Sequence, residues 1–209
     1  MDSHGCCPLP RGRHRLSREQ VSASQRERLL QGMTEAVGEK GYTRTSVADV
    51  LKRAHVSRET FYEHFTDKQE CFLSAYQAAA ERIVGVVHEA IHTCDEPLMQ
   101  RLERGLTAYL RELAMDAAAA RTFLLEIYAA DPAGALLRIG VQRRFVETVT
   151  GLLVEDERFR ALPDPQFTSR MLIGGVASLV TGKVAMGEHA TLPGLCAPIL
   201  AHFRSLLER

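Results

Sequence analysis

Apolar positions along this chain recur at helical spacing from residue 18 onward, and no stretch alternates as a half-buried strand would. Leu29, Leu30, Met33, Ala36 and Val37 predict a first helix from about Arg18 to Glu39, with Gly41 just past its end. Val47, Val50, Leu51 and Ala54, at i, i+3, i+4 and i+7, form the stripe of a second. Ser46 and Asp49 fit a capping box at its start, with Thr45 a competing cap. Val56 then plugs a short turn and Ser57 caps a third helix, which Phe61 and Phe65 pin to the second. Arg58, Glu59, Thr60, Tyr62 and His64 are left off that apolar stripe. Asp67 with Glu70 makes another capping box, opening a helix through Phe72, Leu73 and Tyr76 that continues to about Thr93.

Further helices follow. Pro97 opens one to about Met115, another covers about Arg121 to Ala130 and ends at Asp131-Pro132, and a third runs from about Gly134 to Glu155. Pro163 and Pro165 bracket a loop before a helix over Gln166–Gly187, and Pro193 and Pro198 precede the last, through Phe203, Leu206 and Leu207. The expected class is all-α. The segment 171–182 is too apolar for a solvent-facing helix, and its glycines each cost about 1 kcal/mol in a helix interior. Close approach by another helix would offset that cost.

Two short helices, a three-residue turn and a dense polar face make the build of a helix-turn-helix reader of the DNA major groove. The same stretch resembles the DNA-binding region of the tetracycline-repressor (TetR) family of bacterial transcription regulators. The resemblance covers about residues 20–75. It rests on Gly41-Tyr42, Thr45-Ser46-Val47, the Ala54-His55-Val56-Ser57 turn, and Thr60-Phe61-Tyr62-Glu63-His64-Phe65 with Lys68. The family usually has Gly where His55 stands, a position that often needs positive φ.

The Pro/Gly/Arg-rich composition of residues 1–16 predicts a disordered basic arm, and the resemblance implies a helix-turn-helix domain over 17–75 and a helical ligand-binding and dimerisation domain over 76–209. It implies a one-component regulator, usually a repressor, that binds a palindromic operator as a homodimer and is released by a small-molecule effector. Ser46, Ser57, Arg58, Glu59, Thr60, Tyr62 and His64 would face DNA, with Thr45, Tyr62 and Lys68 as phosphate anchors and Arg58 reading bases. Tyr109, Phe123, Glu126, Tyr128 and Arg138 are the candidate effector contacts. In the family the last two long helices pair across a twofold axis. Residues 134–154 and 166–187 resemble them by order and length, with Phe145, Ile173, Gly174, Ala177, Val180, Thr181 and Val184 as candidate interface residues.

Composition changes this picture little. The chain has 209 residues, 45% apolar and 25% charged, ordinary globular material. Residues 11–68 hold twelve Lys/Arg against eight Asp/Glu, a net of +4, and residues 69–209 fourteen against seventeen, a net of −3. That supports phosphate binding without a strongly basic domain. No apolar run is long enough to span a membrane and no signal-peptide core is present, so a cytoplasmic protein with no membrane partner is expected. The five cysteines, among them adjacent Cys6 and Cys7, are expected to be free thiols. Arg11, Arg13 and Arg15 in the tail could reach phosphates.

One rival motif stands out. His88-Glu89-Ala90-Ile91-His92 is a literal H-E-x-x-H, whose two histidines hold zinc in metalloproteases while the glutamate activates water. Glu112, twenty residues beyond His92, stands where one zincin class places a third ligand. No strand-rich subdomain accompanies it to bind an extended peptide. No nucleophile elbow, phosphate loop or dinucleotide fingerprint appears, so no cofactor and no enzyme activity are expected. A zinc hydrolase and an adaptor without DNA binding are the alternatives.

Overall fold

The structure, a computed structural model, describes residues 17–92 and 96–207. The tail that carries Cys6, Cys7 and the three arginines lies outside the described residues. All regular elements among the described residues are helical.

Helix α1 (Arg18–Lys40) starts in a capping box between Ser17 and Gln20 and stops at Gly41, whose φ of 81° lets the chain turn. Helix α2 (Val47–Ala54) opens on the expected Ser46–Asp49 box. It ends at His55, which adopts the left-handed conformation (φ 52°, ψ 47°) that the family's glycine would favour. Arg28, from α1, donates to the carbonyls of Ala54 (3.1 Å) and His55 (3.4 Å) and so covers the open end of α2. Ser57 caps α3 (Arg58–His64) by accepting from the Thr60 amide at 3.0 Å. Asp67 caps α4 (Lys68–His92), accepting from the Glu70 amide at 2.8 Å, while the Glu70 carboxylate accepts from the amide and hydroxyl of Thr66.

Helix α4 runs unbroken past residues 75 and 76, and one apolar core crosses that point from Leu29 and Phe61 through Tyr76 to Phe123 and Val180. Helix α5 spans Leu98–Met115. The helix expected over 121–130 is two pieces. Asp116 caps α6 (Ala117–Leu124), where four alanines extend the helix toward the N-terminus, and a 3-10 turn covers Glu126–Ala129. Asp131-Pro132 does not end that region but opens α7 (Asp131–Leu153), since a proline in the first turn forfeits no hydrogen bond. A one-turn helix α8 (Glu157–Arg160) precedes α9 (Pro165–Ala185). Pro193 lies within a second 3-10 turn, His189–Leu195, and Pro198 within the first turn of α10 (Cys196–Leu207). A second apolar cluster, with Ile91, Leu102, Leu152, Phe159 and Phe203, fills the far end of the bundle. No described helix is long and apolar enough to cross a membrane.

Candidate nucleic-acid interface and effector cavity

The turn between α2 and α3 presents a polar surface. Ser46, Ser57, Arg58 and Glu59 are exposed, and Tyr62 keeps 48% of its surface open, unusual for an aromatic in a packed helix. The Arg58 guanidinium lies 5.3 Å from the Tyr62 ring centroid and donates to its hydroxyl at 3.2 Å. Thr60 is half-buried, and its hydroxyl shares a hydrogen bond with Ser57 Oγ.

Three expected DNA contacts are placed differently. Thr45 is 3% exposed, and its hydroxyl donates to the carbonyls of Gly41 (2.9 Å) and Ala36 (3.2 Å). It locks the end of α1 and does not reach outward. His64 is half-buried against Phe65, with its Nε2 buried and unpartnered among the described residues. Lys68 is half-buried, its ammonium 4.2 Å from the Tyr42 ring centroid and bonded to the Tyr42 carbonyl at 3.0 Å. Two of its three donors remain for a phosphate.

Electrostatics tie both ends of α2 to α1. Lys40 pairs with Asp49, and Arg53 with Glu39. Hydrogen bonds from Lys40 first, then from Ser46, hold the Asp49 carboxyl far below the carboxylate range, and bonds from Thr66 lower that of Glu70. A carboxyl depressed by folding contributes stability that is present above its unfolded pKa and lost as pH falls. Urea midpoints are therefore expected to hold steady from pH 7 to about 5 and to decline below about pH 4, less steeply in Asp49→Asn. Parallel curves for the two proteins would show that Asp49 carries none of this stability.

Between the two apolar clusters lies a narrow cavity, partly open to solvent, walled by α4, α5, α6, α7, α9 and α10. Tyr109, Phe123 and Arg138 line it as expected. Phe123 stacks on Tyr76 at 5.2 Å, and Arg138 sits 5.6 Å from the Phe123 ring centroid. Burial pushes the Tyr109 hydroxyl up to about 12. Glu126 and Tyr128 do not line it. The break at Leu125 turns Tyr128 outward, 61% exposed, and swings Glu126 toward α1. There the Glu126 carboxylate accepts from the Tyr42 amide (2.9 Å) and from Arg121 (3.1 Å). The Thr122 hydroxyl donates to the Thr34 carbonyl at 3.3 Å, so α6 and its following turn are docked on α1.

The expected interface residues also divide. Phe145, Ile173 and Ala177, each half-buried, line the cavity, and Val180 and Val184 are buried in the core. Gly174 faces Gln142 of α7, and Thr181 is half-buried. Exposed instead are Leu136 and Ile139 on α7, with Phe167, Met171 and Leu179 on α9 and Met186 just past its end. Open space lies over Gly140 and Gly151 of α7 and over Gly175 and Gly182 of α9.

His88 and His92 are exposed, their rings stacked at 4.0 Å, and His92 Nδ1 is bonded to the His88 carbonyl at 2.8 Å. Glu112 pairs with Arg82 at 2.8 Å, away from a ligand role. Among the described residues no three His, Cys, Asp or Glu side chains converge as a metal set. Among the described residues the zinc-hydrolase alternative has no third ligand.

Residues 29–75, the capped helices and left-handed turn just described, match the family model for bacterial regulatory proteins of the tetR family. The match is confined to this DNA-binding segment of the chain. The HTH-type transcriptional activator FasR of Mycolicibacterium smegmatis is 26% identical over 123 residues, which span 59% of this chain and 56% of that relative's length. In fold, the chain is similar to the fatty acid degradation regulator FadR of Bacillus halodurans (TM-score 0.77, 20% identity, covering 88% of this chain and 94% of the other). It is also similar to the transcriptional regulator FadR of Bacillus subtilis in complex with stearoyl-CoA (TM-score 0.73, 19% identity, 84% and 95% covered).

Proposed function

We propose that this protein is a TetR-family, cytoplasmic, ligand-responsive transcription regulator that binds a palindromic operator as a homodimer. The observation that carries the proposal is the exposed row Ser57, Arg58, Glu59 and Tyr62, held by a capped helix after a left-handed turn. One such helix reads too few bases to be selective, so two related by a twofold axis would meet half-sites one helical turn apart. The test is salt-dependent binding to a palindrome upstream of its own gene. Arg58 can pair with both guanine acceptors, so Arg58→Ala is expected to cost about 1–3 kcal/mol and relax preference at one base pair per half-site. Unchanged operator preference would remove Arg58 from the base-reading role.

The outward apolar residues of α7 and α9 support the dimer, because water leaves such a face unrewarded and the open glycines admit a partner helix closely. Met171→Glu is expected to shift the protein to monomers at micromolar concentration in sedimentation experiments. A variant that sediments as the wild type does would place the interface elsewhere.

The apolar cavity and the stearoyl-CoA bound by Bacillus subtilis FadR support a long-chain acyl effector. Such an effector would act only insofar as it binds the DNA-competent and released geometries with different affinity.

A further inference from the structure

Arg138 is the one charged side chain in the wall of the cavity, and it is 6% exposed. It makes no ion pair among the described residues, and its Nε is buried without a hydrogen-bond partner. Beside it, Tyr76 is fully buried, its hydroxyl turned toward the Arg138 guanidinium. The hydroxyls of Tyr76 and Tyr109 are both close enough to feel the Arg138 charge. The guanidinium and the Tyr109 phenol can both donate hydrogen bonds into the cavity, and no carboxylate lines it to receive them. A buried cation without a counter-charge is costly, which makes this end of the cavity a waiting anion site.

The rest of the wall gives the shape of what carries the anion. Arg138, Gln142, Phe145, Val149 and Leu152 recur on one face of α7, and the distance from Arg138 to Leu152 along that helix is about 21 Å. An extended chain advances about 1.2 Å per bond, so that length suits roughly sixteen to eighteen carbons. Beyond Arg138 the wall is apolar except for Gln142 and Tyr109, ending among Ile199, Leu200 and Phe203.

Resting on the acyl-effector reading above, we infer that the effector is a free long-chain carboxylate whose head pairs with Arg138 and whose chain runs along α7 toward α10. Arg138 sits against Phe123 of α6, the helix docked on α1, so the head would lie at the end of the cavity nearest the DNA-binding helices.

The experiment titrates the full chain with three probes of one chain length: hexadecanoate, hexadecan-1-ol and hexadecanoyl-CoA. Wild type is expected to bind the acid about 10- to 100-fold more tightly than the alcohol, the range of a charge-assisted hydrogen bond. Arg138→Met is expected to erase that preference while keeping the alcohol's affinity, which also reports an intact cavity, and Arg138→Lys to restore part of it. Removing the unpaired cation is expected to raise the ligand-free Tm by a few degrees. Equal affinity of wild type for acid and alcohol would overturn the inference, as would a preference that survives Arg138→Met. Binding of the CoA ester alone, indifferent to Arg138→Met, would overturn the anchor and leave the acyl reading standing. Binding of none of the three would remove the acyl reading itself, and the anchor with it.

Discussion

Phe61→Ala is expected to destabilise the protein by about 3–5 kcal/mol and to reduce operator binding more than a hundredfold. Phe61 has no exposed surface and is the one fully buried side chain of α3. Its ring meets Phe65 at 5.7 Å and Tyr62 edge-on at 5.3 Å. Seven residues are too few for a helix to persist in water on its own, so α3 exists through this packing. Loss of the ring leaves a cavity beneath the residues that would face DNA and frees Arg58 and Tyr62 from their shared orientation. Urea unfolding with operator titration measures both effects. An operator affinity within threefold of wild type would show that α3 is held by something other than Phe61.

Gly38→Val is expected to break the contact between the cavity-lining helices and α1. A Cβ at Gly38 would stand 2.4 Å from the Ala118 Cβ and 2.5 Å from its Cα, and backbone cannot move aside as a side chain can. Overpacking of this kind costs about 1–3 kcal/mol and sometimes more. The same surface holds the Thr122–Thr34 and Glu126–Tyr42 hydrogen bonds, so forcing α6 away from α1 strains both. The expected result is a lower Tm, with operator binding largely kept and its response to effector lost. Coupling between sites is typically worth 5- to 150-fold, and the ratio of operator affinities with and without hexadecanoate measures it. A ratio equal to that of wild type would mean that the signal does not pass between α6 and α1.

The DNA-binding half was legible because its determinants are local. Ser46, Asp49, Ser57 and Asp67 cap helices within four residues of themselves, and the left-handed His55 follows from the position where the family keeps glycine. Arg28, which covers the end of α2 from 26 residues away, carries no local signal. Thr45 and His64 misled for the converse reason: their spacing suits an outward role, but the packing of α1 and Phe65 encloses them.

The second half was read less well. Tyr109, Phe123 and Arg138 meet in the cavity. A continuous helix over 121–130 would have set Glu126 one turn from Phe123 on the same side, and the break at Leu125 parted them. For α9, apolar residues occur on nearly every face, so periodicity could not tell the core side, with Val180 and Val184, from the outward side, with Met171 and Leu179.

What this sequence determined alone is the set of helices, most of their caps and the turn that presents Arg58, because hydrogen bonding and backbone preference act over a few residues. Which face of α9 is outward, where the void behind Arg138 opens, and that Glu126 reaches Tyr42 were decided only by the tertiary structure. A cavity is space that six helices fail to fill together, and an unpaired charge is defined by every neighbour it lacks. Neither quantity belongs to any one segment of the chain.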